Sequence, residues 1–225
     1  MTLPDPIVIA LTGHAGSGKD TAAAHLCARY GFVQASFADP IRSMALLIME
    51  EAGIDHAWLT ERHLKERRMP GLGVSARELM QTLGTEVGRH LQPDLWVRHM
   101  ALRLGLPGAG LPQAQRCPVH DRIVVSDARF ANEVHWVHLV GGWVIRLHRE
   151  QAGAVRPHAS EADILNLDAD VDLHNHGLTV AGLHGLLDGA MATGGVEPRE
   201  DGPLCDITRD PAGPWGGVDH EGAVD

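Results

Sequence analysis

Residues 13 to 21 read Gly-His-Ala-Gly-Ser-Gly-Lys-Asp-Thr, and those residue types in that order can hold an anion. Glycines at 13, 16 and 18 let the backbone curl without Cβ clashes, so that successive N–H groups face phosphate oxygens. A helix that follows such a loop points its unpaired N–H groups and the positive end of its macrodipole at the same anion. Lys19 has the reach to touch β- and γ-phosphates and to follow the charge as a γ-phosphoryl group moves. Gly13, His14, Ala15, Gly16, Ser17, Gly18, Lys19, Asp20 and Thr21 are therefore read as a phosphate-binding loop for a nucleoside triphosphate. The commoner motif places Ser or Thr directly after the lysine, where the hydroxyl ligates Mg²⁺. Here Asp20 holds that place and Thr21 follows. Asp20 either touches magnesium or its waters, or simply favours the positive end of the helix.

A second group of chemically capable residues lies downstream. Asp127 ends an apolar run and is expected to organise Mg²⁺ or its waters beside the loop, against the plainer reading of a helix cap. Arg129 and Glu133 lie just beyond it. Arg42 falls in the first turn of a helix, near Asp39. Arg77, Gln81 and Thr85 recur every four residues, which predicts one helix face opposite Leu79, Leu83 and Val87, with Arg89 near the helix end. Arg146 and Arg149 bracket the end of a later strand, and Arg156 enters an expected lid. Convergent cations around two phosphate-bearing ligands, with a lid to exclude water, suit a small-molecule kinase. The Asn-Lys-x-Asp segment of a GTPase switch is absent, since neither lysine follows an asparagine.

Positioning these groups requires strands that alternate with helices. Ile7 to Leu11 reads as a buried parallel strand, and Asp20 to Tyr30 as a helix stopped by Gly31. Phe32 to Phe37 is a second strand, and Asp39-Pro40 opens a helix that runs to about Gly53. Residues 54–73 are expected to form a mobile insertion, followed by helices over Ser75 to His90 and Pro93 to Leu104. Ile123 to Ser126, Trp143 to Leu147 and Val171 to His174 complete five strands, with a helix after Asp127 and a last one over Leu178 to Met191. This pattern predicts an α/β fold with three layers, α/β/α, around a mostly parallel five-stranded sheet. The kinase domain is expected to span 1–191, with a lid at about 149–163 and a disordered tail over 192–225.

Bulk properties agree with one domain. The chain has 225 residues, 44% of them hydrophobic and 21% charged, and a formal net charge of -10 from 29 acidic and 19 basic residues. That balance argues against a nucleic acid polymer as partner, which needs a basic surface. Three dispersed cysteines, Cys27, Cys117 and Cys205, suggest a reducing cytoplasm rather than a disulfide framework. Cys117 and His120 lack a second pair of ligands at a familiar zinc interval. Neither a signal peptide nor a membrane span is expected, and a homodimer stays open.

Several segments together resemble the phage-type deoxynucleoside monophosphate kinases of the P-loop kinase superfamily. They are the GKDT loop, SFADPIR at 36–42, RELMQTLGTEVGR at 77–89, Asp94 with Trp96, VVSDARFANE at 124–133 and HASE at 158–161, in the family's order over about residues 7 to 178. The resemblance implies a nucleoside monophosphate kinase-like fold with a helical acceptor-binding insertion. It also implies transfer of the γ-phosphate of ATP to a deoxynucleoside 5′-monophosphate, with Mg²⁺. By position, Asp39, Arg42, Arg77, Gln81, Arg89, Trp96 and Glu133 would surround the acceptor, with His158 and Glu161 as further candidates. Lys19, Asp127, Arg129 and Arg149 would carry the transfer, Arg156 would close over the donor, and Asp20 and Asp127 would stand nearest the metal. His158 and Glu161 have a competing role in lid packing, because Ser160 and Asp163 have the spacing of a helix cap. Phosphomevalonate kinases of animals have a similar GKD loop. A related kinase of another phosphorylated metabolite, or a non-catalytic nucleotide-binding regulator, are the alternative readings.

Overall fold

The computed structural model describes residues 6–108, 120–150 and 164–199. Five strands form its sheet: β1 (Ile7–Thr12), β2 (Val33–Ala35), β3 (Arg122–Val125), β4 (Trp143–His148) and β5 (Val171–His174). Their order is β2-β3-β1-β4-β5, and every pairing is parallel. Each strand therefore returns through a crossover, and the strands' C-terminal ends lie along one edge of the sheet. The fold is α/β, as the alternation of strands and helices predicts.

Side chains alternate across the sheet. Val8, Ala10, Ile123, Val125 and Val144 enter one core, while Ile9, Leu11, Val124, Ile145 and Leu147 enter the other. Apolar residues on both faces of β1 are what a strand covered by helices on each side requires. The second face is covered by α1 (Lys19–Tyr30) and the last helix, α7 (Val180–Thr193). They pack through Ala22, Ala23, Leu26 and Tyr30 on one side and Leu183, Leu187 and Met191 on the other. The first face takes α5 (Leu95–Leu104) and α6 (Ala131–Leu139), with α2 (Asp39–Glu51) at its end.

Between α2 and α5 the chain makes an excursion that contains α3 (Ala57–Thr60) and α4 (Ala76–Gln81). Residues 54–73, expected to be mobile, have a core of their own: Leu59 and Met69 are 4% and 1% exposed and pack with Ala45, Met49 and Ala76. A capping box starts α4, with Ser75 Oγ accepting from Glu78 N and the Glu78 carboxylate accepting from Ser75 N. The helix then continues, without a break, as a π-helix over Thr82–Arg89. The regular α-helix expected from 75 to 90 is thus corrected, and Val87, expected on its apolar side, is exposed.

The C-terminal boundary also moves. The described chain passes Met191 to Arg199, with Val196 buried, Arg199 N donating to Arg29 O at 2.9 Å and its guanidinium paired with Asp121. Residues 192–199 are packed on the domain and are not part of a loose tail.

Candidate active site

The loop at 13–18 leaves the C-terminal end of β1, the middle strand of the sheet, and enters α1. Gly13, Gly16 and Gly18 have φ of 134°, 80° and 104°, conformations that side chains with a Cβ rarely adopt. Gly13 has a second constraint: a Cβ there would lie 2.4 Å from the Leu147 carbonyl oxygen of β4. Lys19 Nζ folds back to donate to Gly13 O at 2.6 Å and His14 O at 2.8 Å. Asn175, just past β5, buttresses the loop from below, its Nδ2 donating to Ser17 O at 3.2 Å. Arg149, after β4, reaches Gly16 O at 3.5 Å. Buried Thr12 Oγ1, Ser17 Oγ and Asn175 Oδ1 have no hydrogen-bond partner among the described residues, an uncommon state for buried polar atoms. Asp20 is exposed and Thr21 half-buried in the first turn of α1.

Next to the loop, at the end of β3, a cleft of about 650 Å³ (its open mouth included) is lined by Phe37, Met80, Gln81, Thr85, Trp96 and Phe130 among others. Its charged wall is Arg89, Asp127, Arg129 and Glu133. The two places are joined through the sheet, because β1 pairs with β3 and Ala128 N donates to Leu11 O at 3.2 Å.

The π-helix decides which side chains face this cleft. Met80 and Arg89 are nine residues apart, about two and a half α-helical turns, which would put them on opposite faces. An i→i+5 ladder packs more residues into each turn, so that Met80, Gly84, Thr85 and Arg89 all border the cleft. The helix is held there at close range: Trp96 Nε1 donates to Gly84 O at 2.7 Å. A Cβ on Gly88 would lie 2.1 Å from the Trp96 ring, and one on Gly84 would lie 2.8 Å from Ile41.

Asp127 receives three hydrogen bonds from the turn between β2 and α2. Phe37 N donates to Oδ1 at 2.8 Å, while Ser36 Oγ and Ala38 N donate to Oδ2 at 2.6 and 3.0 Å. Its carboxylate therefore shapes the cleft wall that carries Phe37. Asp39 is likewise occupied, accepting from Ser36 N at 3.1 Å, Arg42 at 3.0 Å and Arg103 at 2.9 Å. Arg42 thus turns to Asp39 and is not in the cleft lining. Arg77 is not in it either: its guanidinium pairs with Glu66 in the excursion, and its N–H donates to Lys65 O.

Glu133 sits in the first turn of α6, 3% exposed, and accepts from Arg129 N at 2.8 Å and Phe130 N at 3.1 Å. Arg89 donates to its other oxygen at 2.6 Å. Burial pushes the Glu133 carboxyl up to about 7, and nearby Asp127 adds to this, whereas the backbone N–H groups and Arg89 oppose it. The cleft's apolar walls, Phe37, Met80 and Phe130, belong to no polar motif, and Arg103 stands outside any motif. The phenylalanines do sit inside SFADPIR and DARFANE, where an aromatic among small and charged residues is the clue.

Gln81, Arg89, Trp96, Asp127, Arg129 and Glu133 are thus brought together, and Lys19 and Arg149 meet at the glycine loop. Arg156, His158 and Glu161 lie outside the described residues, as do Cys117, Cys205 and most of the expected lid at 149–163. Among the described residues no group of three or more His, Cys, Asp or Glu is placed to hold a metal ion. No described helix is long and apolar enough to cross a membrane.

No protein-family model matches the chain. A "Putative deoxynucleotide monophosphate kinase" of Acanthamoeba polyphaga mimivirus is 28% identical over 181 residues, which are 76% of this chain and 89% of that protein. Among solved structures, a sugar kinase from a Janibacter species aligns with a TM-score of 0.40 at 14% identity, over 86% of this chain and 96% of that one. Shikimate kinase from Bacteroides thetaiotaomicron aligns with a TM-score of 0.27 at 13% identity, over 83% of this chain and 78% of that one. In sequence, then, the chain is a relative of a protein that bears the name of the family its own motif order resembles, the deoxynucleotide monophosphate kinases.

Proposed function

We propose that this protein is a kinase that transfers the γ-phosphate of ATP to the 5′-phosphate of a deoxynucleoside monophosphate, giving the diphosphate. One observation carries the reading: the glycine loop and the cleft with its aromatic and arginine walls open side by side, at the C-terminal ends of paired strands β1 and β3. Two ligands bound there would meet end to end. The mimivirus relative supports a deoxynucleotide as acceptor.

The residues around the loop fit a triphosphate. The loop's glycines at 13, 16 and 18 have positive φ, and the hydroxyls of Thr12 and Ser17, without a partner among the described residues, lie beside it. Lys19 would exchange the loop carbonyls for phosphate oxygens. Mg²⁺ would arrive with the triphosphate and neutralise charge on its oxygens, held largely by phosphates and water, with Asp20 and Thr21 the protein groups at hand. In the cleft, Phe37 and Phe130 would contain the acceptor's base and sugar, while Arg89 and Arg129 would draw its phosphate toward the loop. That phosphate oxygen is already an anionic nucleophile. Catalysis then needs in-line positioning and balanced charge, with no strong general base.

The test is ADP release with ATP and each of dAMP, dCMP, dGMP and dTMP, with phosphomevalonate as a further acceptor. Turnover with at least one deoxynucleotide is expected. ATP binding without turnover on any acceptor would overturn the kinase reading in favour of a regulator, and turnover with phosphomevalonate alone would reassign the acceptor. Lys19→Ala is expected to lower kcat by orders of magnitude with the circular dichroism spectrum unchanged, and near-normal turnover would move the active site elsewhere.

A further inference from the structure

Arg89 already has an anion. Its guanidinium lies over the Phe130 ring, 3.4 Å from the centroid, and gives Glu133 a charge-assisted hydrogen bond of 2.6 Å. Asn132 Oδ1 accepts from it at 3.1 Å and the Pro93 carbonyl at 3.4 Å. Both residues line the cleft, the Arg89 side chain 16% exposed and that of Glu133 only 3%. The groups that face Glu133 are Arg89 from the π-helix, Asp127 from the end of β3, and the N–H groups of Arg129 and Phe130 from the turn before α6.

A phosphate that approaches Arg89 therefore meets a carboxylate bound to the same guanidinium. Two anions on one buried cation raise each other's proton affinity, as do two carboxylates that share a site. We propose that Glu133 occupies Arg89 in place of the acceptor's phosphate when the cleft is empty, and that binding of that phosphate is coupled to uptake of one proton by Glu133. The proton comes from solvent and ends on the Glu133 oxygen that faced Arg89. The other oxygen keeps the Arg129 and Phe130 N–H groups, so the start of α6 is undisturbed. Glu133 is in this respect a positioning residue that acts through Arg89. Its position on the titration scale, near neutral through burial, makes the proton available at modest cost. The inference rests on the reading of the cleft as the acceptor site.

The experiment uses the unaltered protein and whichever of dAMP, dCMP, dGMP and dTMP turns over fastest. Acceptor KM is measured at saturating ATP between pH 7.0 and 8.5, where the phosphate, with a second pKa of about 6, stays a dianion. KM is expected to rise with pH, by up to about tenfold per unit for one coupled proton. Calorimetry of acceptor binding at pH 7.5, in two buffers of different ionisation enthalpy, is expected to show net proton uptake. In Glu133→Gln the KM at pH 8.5 is expected to stay within about twofold of its value at pH 7.0. If that variant does not fold, the two measurements on the unaltered protein still decide. A flat KM and zero proton uptake, with an acceptor that turns over, would overturn the coupling and leave the kinase reading intact. Failure of all four nucleotides to turn over would overturn the acceptor reading and the coupling with it.

Discussion

At the scale of single residues, carboxylates set the shape of the cleft. Asp127 takes a backbone N–H on each oxygen, from Phe37 and Ala38. Asparagine at this position offers one acceptor, so one of those donors would face an NH₂ group and lose its bond, at a cost of about 1–3 kcal/mol. Asp127→Asn is therefore expected to raise acceptor KM much more than ATP KM, because the disturbed turn carries Phe37. Equal effects on both would show that Asp127 acts on the donor. Glu133 has a different consequence, for stability. Its folded value of about 7 stands above the ordinary 4.5, so the native state holds a proton that the unfolded chain releases in that window. Stability linked to this group is present in full below pH 4.5 and is lost as pH rises through about 7. Denaturant midpoints at pH 5, 6 and 7.5 are expected to fall in the unaltered protein. The slope should be smaller in Glu133→Gln, and an unchanged slope would assign it to other groups.

At the scale of elements, the π-helix is the feature on which the site depends. Gly88 in the middle of a helix is intrinsically worse than alanine by about 1 kcal/mol. A Cβ at 2.1 Å from the Trp96 ring works in the other direction, since overpacking costs about 1–3 kcal/mol. Gly88→Ala is expected to lower Tm by roughly 2–4 °C for each kcal/mol of net loss in a chain of this size. A rise in Tm would show that helix propensity outweighs the contact. Legibility in the sequence divides at this same element. The strands and most helices follow from local patterns: Val8, Ile9, Ala10 and Leu11 form an apolar run with a core on either side, and Pro40 marks a helix start. The π-helix was not legible, because it depends on Trp96, twelve residues from the carbonyl it binds. Glycines four apart, at 84 and 88, were the available hint of a close approach. An α-helical period puts Arg77 on the Gln81 face. In the fold Arg77 serves the excursion through Glu66, a pairing that spacing alone does not reveal.

At the scale of the whole molecule, the segment that follows α7 packs on the start of β3. Beyond α7, Val196 is 4% exposed. Arg122 at the start of β3 donates to Glu197 O at 2.8 Å and to Tyr30 O at 2.7 Å, and Arg199 holds Asp121. Burial of a valine contributes about 2 kcal/mol. A chain truncated after Thr193 is therefore expected to melt several degrees below one truncated after Arg199. Equal melting temperatures would show that this clasp adds nothing. The tail boundary expected near residue 192 missed it because Gly194, Gly195 and Pro198 look like linker, although Val196 between them is core.

The strand order has a further consequence, for the sequence of events in folding. β1 precedes its neighbours in the sheet, Arg122–Val125 and Trp143–His148, by more than a hundred residues. Pairings of such high contact order form slowly, since the intervening chain must be closed before they reward it. The glycine loop takes its shape from this late union, because Gly13 rests on the Leu147 carbonyl of β4. The loop should thus reach its final shape only after β4 has joined the sheet. Until then the apolar strand Ile7–Thr12 is without its partners, and a chaperone that binds extended apolar segments would find its best target there.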